Sequence, residues 1–81
     1  MERIKCTIWG VKKVGRRERN YLLFDGVKSK AGAMKFARGV KKCGFISGDE
    51  LIMPDKVGIV VYAYLGEFGV IPPIVQEKII L

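Results

Sequence analysis

At 81 residues the chain is long enough for one small core and too short for a second domain of ordinary size. Its composition, 49% hydrophobic and 28% charged, excludes a disordered polymer, and no apolar run approaches the roughly 18 residues of a membrane span. With no histidine and only two cysteines it lacks the makings of a zinc site and the commonest general base, and a net charge of +7 points to anionic partners.

The charge is unevenly spread. Residues 1–42 carry 13 Lys and Arg against three acids, whereas residues 43–81 carry two against five. Such segregation concerns surfaces and partners more than fold. The opening MERIKCTIWG shows no charged n-region leading into an apolar h-region, so no signal peptide and a cytoplasmic location are expected.

In chain order, RIKCTIWGVKKV alternates, with Ile4, Cys6 and Ile8 on one side and Lys5, Thr7 and Trp9 on the other, as in a half-buried strand. GRRERN makes a charged turn and YLLF a second strand, so residues 3–25 are predicted to form a hairpin. A helix is predicted over 29–43, with Ser29 as N-cap and Gly44 as its stop. ISGDELIMPDKVG suggests a short strand and a turn around Pro54 and Asp55. IVVYAYL, β-branched and aromatic, suits a central strand, placing strands within 50–65. GEFG, residues 66–69, has the spacing of the phosphate-clamping loop of KH domains, but it follows a strand and Glu67 repels phosphate, so a simple turn is expected. Residues 70–81 form an apolar tail in which Pro72 and Pro73 rule out a central strand. The tail is expected to pack across its own domain or to dock on a second copy. The expected fold is therefore α+β, in the order β-β-α-β-β. It is an antiparallel sheet with one amphipathic helix on one face, within a single domain spanning 1–81.

The helix carries the strongest functional signal. A 100° step per residue sorts Gly32, Ala33, Phe36, Ala37, Gly39, Val40 and Cys43 to one side, with Phe36 as the main anchor. Gly32 and Gly39 each cost about 1 kcal/mol relative to alanine, which makes sense if a backbone or a bulky side chain presses against them. Lys30, Lys35, Arg38, Lys41 and Lys42 fall on the other side with no acid among them. Arg38 lies at i, i+3 and i, i+4 spacing from three of these, where like charges repel by about 0.2–0.5 kcal/mol per pair. Lys41 and Lys42 gain from the helix dipole; Lys30 sits at the wrong end. Local stability does not explain this face, and an anionic partner does.

The hairpin tip adds Lys12, Lys13, Arg16, Arg17 and Arg19, a basic finger able to track phosphates. Charged turns also guard edge strands against aggregation, which is the plainer account of the tip. If the aliphatic series of both long strands faces the helix, Trp9, Tyr62 and Tyr64 share the far face with Lys5. There they would offer a stacking platform worth about 1–3 kcal/mol per base, unless the tail or a second subunit covers it. The two thiols, Cys6 and Cys43, are expected free in the core.

No nucleotide-binding loop, metal-dependent nuclease motif or nucleophile–base pair is present in the sequence, and no metal or cofactor is expected. The expected function is a non-enzymatic nucleic-acid-binding accessory or regulatory protein, for RNA or DNA. The principal alternative is a homodimeric adaptor, of the kind found among viral or mobile-element accessory factors, that uses residues 70–81 and the aromatic face. A metal-free ribonuclease using Lys, Arg and one of Tyr21, Tyr62 or Tyr64 comes third. No membrane partner is expected.

Overall fold

A computed structural model describes residues 2–65 and 74–81, and for residues 2, 64 and 65 the backbone alone. GEFG, the proline pair and the side chain of Tyr64 lie outside the described residues. The elements are β1 (Glu2–Val14), β2 (Arg17–Val27), α1 (Lys30–Cys43), β3 (Phe45–Ser47), β4 (Glu50–Ile52), β5 (Lys56–Leu65) and β6 (Ile74–Ile80). Four strands form an antiparallel sheet in the order β2-β1-β5-β6, with α1 on one face, while β3 and β4 pair as a separate small hairpin. The fold is α+β.

Strand order follows from pattern. In β5, Val57, Ile59, Val60 and Val61 are at most 7% exposed, and a β-branched run with no polar face is stable only between two neighbours. β1 pairs with it so that Cys6 faces Val61 and Ile8 faces Ile59. These side chains and Val57 meet Ala33, Ala37 and Val40 of α1 in the core. Burial of each Val or Ile contributes roughly 1.5–3 kcal/mol. That contact, more than helix propensity, holds α1 in place. Phe36 is not the buried anchor expected: it is 41% exposed and lies tilted against Phe24 of β2, with ring centroids 5.7 Å apart.

Both hairpins use one turn chemistry. Val14 pairs with Arg17 and Ser47 with Glu50, leaving two-residue loops that begin with Gly15 and Gly48, each at φ 64°. Positive φ at the first loop position only is the type II′ arrangement, whose twist matches paired strands. Because the pairing of β1 with β5 ends at Val11↔Lys56, residues 12–19 continue as a two-stranded arm. The Ser29 side chain accepts from the Gly32 N–H at 3.1 Å, and the Gly44 N–H donates to the Val40 carbonyl at 2.8 Å, capping α1 at both ends.

The structure departs from the sequence expectation in three further places. Residues 74–80 extend the sheet as its edge strand and do not cross a face. Ile79 and Leu81 reach the core, and Leu81 exchanges backbone hydrogen bonds of 2.8 and 3.1 Å with Val57. Residues 45–52 form a hairpin where one short strand was expected. Cys43 is exposed, while Cys6 is buried and desolvation raises its thiol pKa; both thiols are free. Among the described residues no helix is long and apolar enough to cross a membrane.

Candidate nucleic-acid interface

With Ala33, Ala37 and Val40 turned to the sheet, helical periodicity puts Lys35, Arg38 and Lys42 on the opposite crest of α1. It puts Lys30 and Lys41 on the flank toward β5 and β6, and Phe36, Gly32, Gly39 and Cys43 on the flank toward β2. The contacts agree. Lys30 Nζ lies 2.8 Å from Glu77 Oε2 of β6, Lys41 Nζ donates to the main-chain oxygen of Asp55, and Phe36 touches Phe24. Lys35, Arg38 and Lys42 are exposed and meet no acid among the described residues. Among the described residues one carboxylate, that of Glu77, thus reaches a flank of the helix, and none meets its crest.

In the arm, Lys12 faces Arg19 across the strands, Lys13 faces Glu18, and Arg16 occupies the loop beside Arg17. Like charges placed directly opposite weaken a strand pair. Lys12 is half-buried and the other four cations are exposed.

Asp55 joins the two basic groups. Its Oδ2 accepts from the Lys13 N–H at 2.7 Å, its own N–H donates to the Val11 carbonyl at 2.8 Å, and its carbonyl accepts from Lys41. The carboxyl is held below the usual carboxylate range, first by the Lys13 N–H and then by the charges of Lys12, Lys13 and Lys41. The C-terminal end of α1 and the root of the arm therefore meet at one residue, which Lys12, Lys13 and Lys41 all influence.

Trp9 and Tyr62 share the sheet face away from α1, with Gly58 opposite Trp9 and Lys5 opposite Tyr62. The indole lies over Gly58, where a Cβ would come 3.1–3.2 Å from the ring. Four residues of strand separate the two aromatic positions, roughly 13 Å. Leu22 and Ile80, 68% and 60% exposed, complete an apolar row Leu22–Trp9–Gly58–Ile80 across all four strands. Lys5 is engaged by Asp25 at 3.3 Å. Asp25 also accepts from Thr7 Oγ1 at 2.9 Å, and that hydrogen bond, followed by Lys5, lowers its pKa.

Tyr21 packs on the helix side against Phe45, ring centroids 5.1 Å apart, so Tyr21 and Tyr62 stand on opposite sides of the sheet. Among the described residues no group of three or more His, Cys, Asp or Glu could hold a metal ion. Sequence reasoning missed a groove between β2 and α1, around Phe36 and Phe45. Its one sequence signal is Phe36 sharing a helix flank with two glycines. No protein-family model, no curated protein and no solved structure matches this chain.

Proposed function

We propose that the chain is a small nucleic-acid-binding protein, accessory or regulatory in type, that holds phosphates on the α1 crest and the basic arm. One observation carries this: Lys35, Arg38 and Lys42 project together from the helix with no acid beside them among the described residues. Their mutual repulsion works against the free protein and is relieved when a polyanion replaces the bound counterions. Lys12, Lys13, Arg16, Arg17 and Arg19 supply a second contact, and Lys41 links the two. Lys30, already held by Glu77, contributes less. A crest without Asn or Gln suits phosphates better than adenine edges. Trp9 and Tyr62 lie on the other face of the sheet, so bases stacked on them would make a separate contact.

Binding of duplex DNA, single strands and structured RNA at several ionic strengths tests the proposal. Engagement of about six phosphates gives a slope of log K against log salt near −5 on duplex DNA. Binding that ignores salt, or none at low salt, overturns it.

A homodimeric adaptor is supported by a different observation. Among the described residues β6 is an outer strand of the sheet, with Ile74, Val75 and Ile80 exposed by 72%, 46% and 60%, and edge strands can recruit further strands. Light scattering separates the two. A dimer that Ile74→Lys converts to a folded monomer, with nucleic-acid affinity absent throughout, favours the adaptor.

A further inference from the structure

The groove between β2 and α1 has walls that include Tyr21, Leu23, Phe36, Val40, Phe45 and Ile46 and a volume of about 200 Å³. That is below the ~300–1,000 Å³ of drug-sized ligand sites and on the scale of one aromatic ring system. Beside it Phe24 and Phe36 remain 49% and 41% exposed, presenting ring surface to water. The helix flank above is bare. A Cβ added at Gly39 would meet nothing within 4 Å, although glycine weakens a helix interior. Among the described residues nothing presses against this glycine, contrary to the sequence expectation. Lys35 and Lys42, about one turn to either side of Gly39, border the same flank without partners among the described residues.

We infer that this groove takes one unpaired nucleobase of a single-stranded nucleic acid, stacked on the Phe36 ring that Phe24 buttresses from outside the groove, with the flanking phosphates on Lys35 and Lys42. The inference rests on the nucleic-acid proposal above and narrows it to single strands. A base inside a duplex has both faces stacked and cannot enter a groove, whereas an unpaired base can be splayed onto an aromatic side chain while cations hold its backbone. Charge complementarity selects the occupant. The crest and the arm are cationic, while Glu18 and Asp25 of β2 share the opposite sheet face with their partners Lys13 and Thr7. Asp49 in the β3–β4 turn and Glu50, paired with the groove residue Ser47, would repel phosphates from that part of the groove. An extended peptide fits less well. The outer edge of β2, where it would pair, is interrupted by register shifts at Leu23 and Gly26, and such bulges break the ladder that an added strand needs. A second copy would bring its own +7 charge to the same place.

Fluorescence anisotropy tests the inference with three labelled probes: a mixed-sequence single strand, a duplex of equal charge and an acidic phenylalanine-containing peptide. The proteins are the wild type, Gly39→Gln and Phe24→Leu, each checked for folding by thermal melting. Gly39→Gln fills the flank without changing charge, and glutamine is the better helix former. Phe24→Leu removes a ring from an exposed position while keeping it apolar. Both substitutions are expected to weaken single-strand binding about tenfold while duplex binding and the salt slope stay as in the wild type. Unchanged single-strand binding, or an equal loss on both nucleic acids, overturns the base site and leaves phosphate binding standing. No binding of either nucleic acid by the wild type overturns both. Peptide binding that depends on Gly39, in place of single-strand binding, makes the groove a protein site and also overturns the inference.

Discussion

The two flanks of α1 use the same residue types in opposite ways. Toward β5 and β6, Lys30 is held by Glu77 and Lys41 by the Asp55 carbonyl, so these cations fasten the helix to neighbouring strands. On the crest and toward β2, Lys35, Arg38 and Lys42 meet no acid among the described residues, and a Cβ at Gly39 would meet none of them within 4 Å. A solvated helix normally mixes signs along its surface. Among the described residues one carboxylate, that of Glu77, pairs with this helix, and it does so on one flank. Net charge is therefore the wrong quantity to weigh; cations left unpartnered beside empty apolar volume are the informative feature.

The contrast breaks or holds most visibly under charge changes. Arg38→Glu with Lys42→Glu is expected to lower nucleic-acid affinity on the order of a hundredfold at low salt, about 1.4 kcal/mol per reversed charge, with little change in melting temperature. The exchange Lys30→Glu with Glu77→Lys keeps both the pair and the net charge, so affinity and stability stay near wild type. Anisotropy titrations read both. Equal losses in the two double variants would mean that the flanks are not distinct.

Glycine substitutions sharpen the same contrast at smaller cost. Gly44 closes the helix at φ 80°, and a Cβ there would lie 2.6 Å from the Ile52 carbonyl oxygen and from Met53 Sδ. Gly44→Ala is expected to lose at least about 2 kcal/mol in urea unfolding. Gly39→Ala, on the bare flank, is expected to gain up to about 1 kcal/mol. Gly32→Ala should come out near zero, because its Cβ would crowd Ser29 Oγ at 2.8 Å and weaken a cap worth about as much as the added propensity. A destabilised Gly39→Ala would show that the flank is not open.

Much of this architecture was legible from period alone. The helix and its caps followed from 3.6-residue spacing between Ser29 and Gly44. Period 2 in β1 and β5 placed Trp9 and Tyr62 on the far face, because Cys6 and Ile8 had to meet Val61 and Ile59. β6 was hidden for two reasons. Pro72 and Pro73 suggested no central strand, yet they stop just short of it. A register shift at Gln76 also breaks the alternation that would have revealed the strand. The groove was illegible because Phe24 and Phe36 have the chemistry of core residues. Their half-exposure depends on bulges in β2 and on how the helix is rolled. The Lys30–Glu77 pair, joining residues 47 positions apart, has no local signal at all.

The smallest expected effect concerns how the arm is joined to the helix. Asp55 and Asp25 both titrate below the usual carboxylate range when folded, Asp55 chiefly through the Lys13 N–H and Asp25 chiefly through Thr7. A carboxyl with a folded pKa below its unfolded value of about 3.9 stabilises fully above that value, and the contribution fades as pH falls through the folded pKa. Stability should therefore be level from neutrality to about pH 5 on this account and decline below about 4. The decline should be shallow, because both groups are exposed and screened by solvent. Asp55→Asn keeps an acceptor for the Lys13 N–H but cannot titrate, so its acid-side decline should be shallower than that of the wild type. Protection factors of the backbone amides from Val11 to Lys13, taken against intrinsic rates at each pH, should fall on acidification in the wild type alone. If the two proteins decline equally, the acid sensitivity belongs to Asp25 and the far sheet face, and Asp55 fastens the arm through its main chain only.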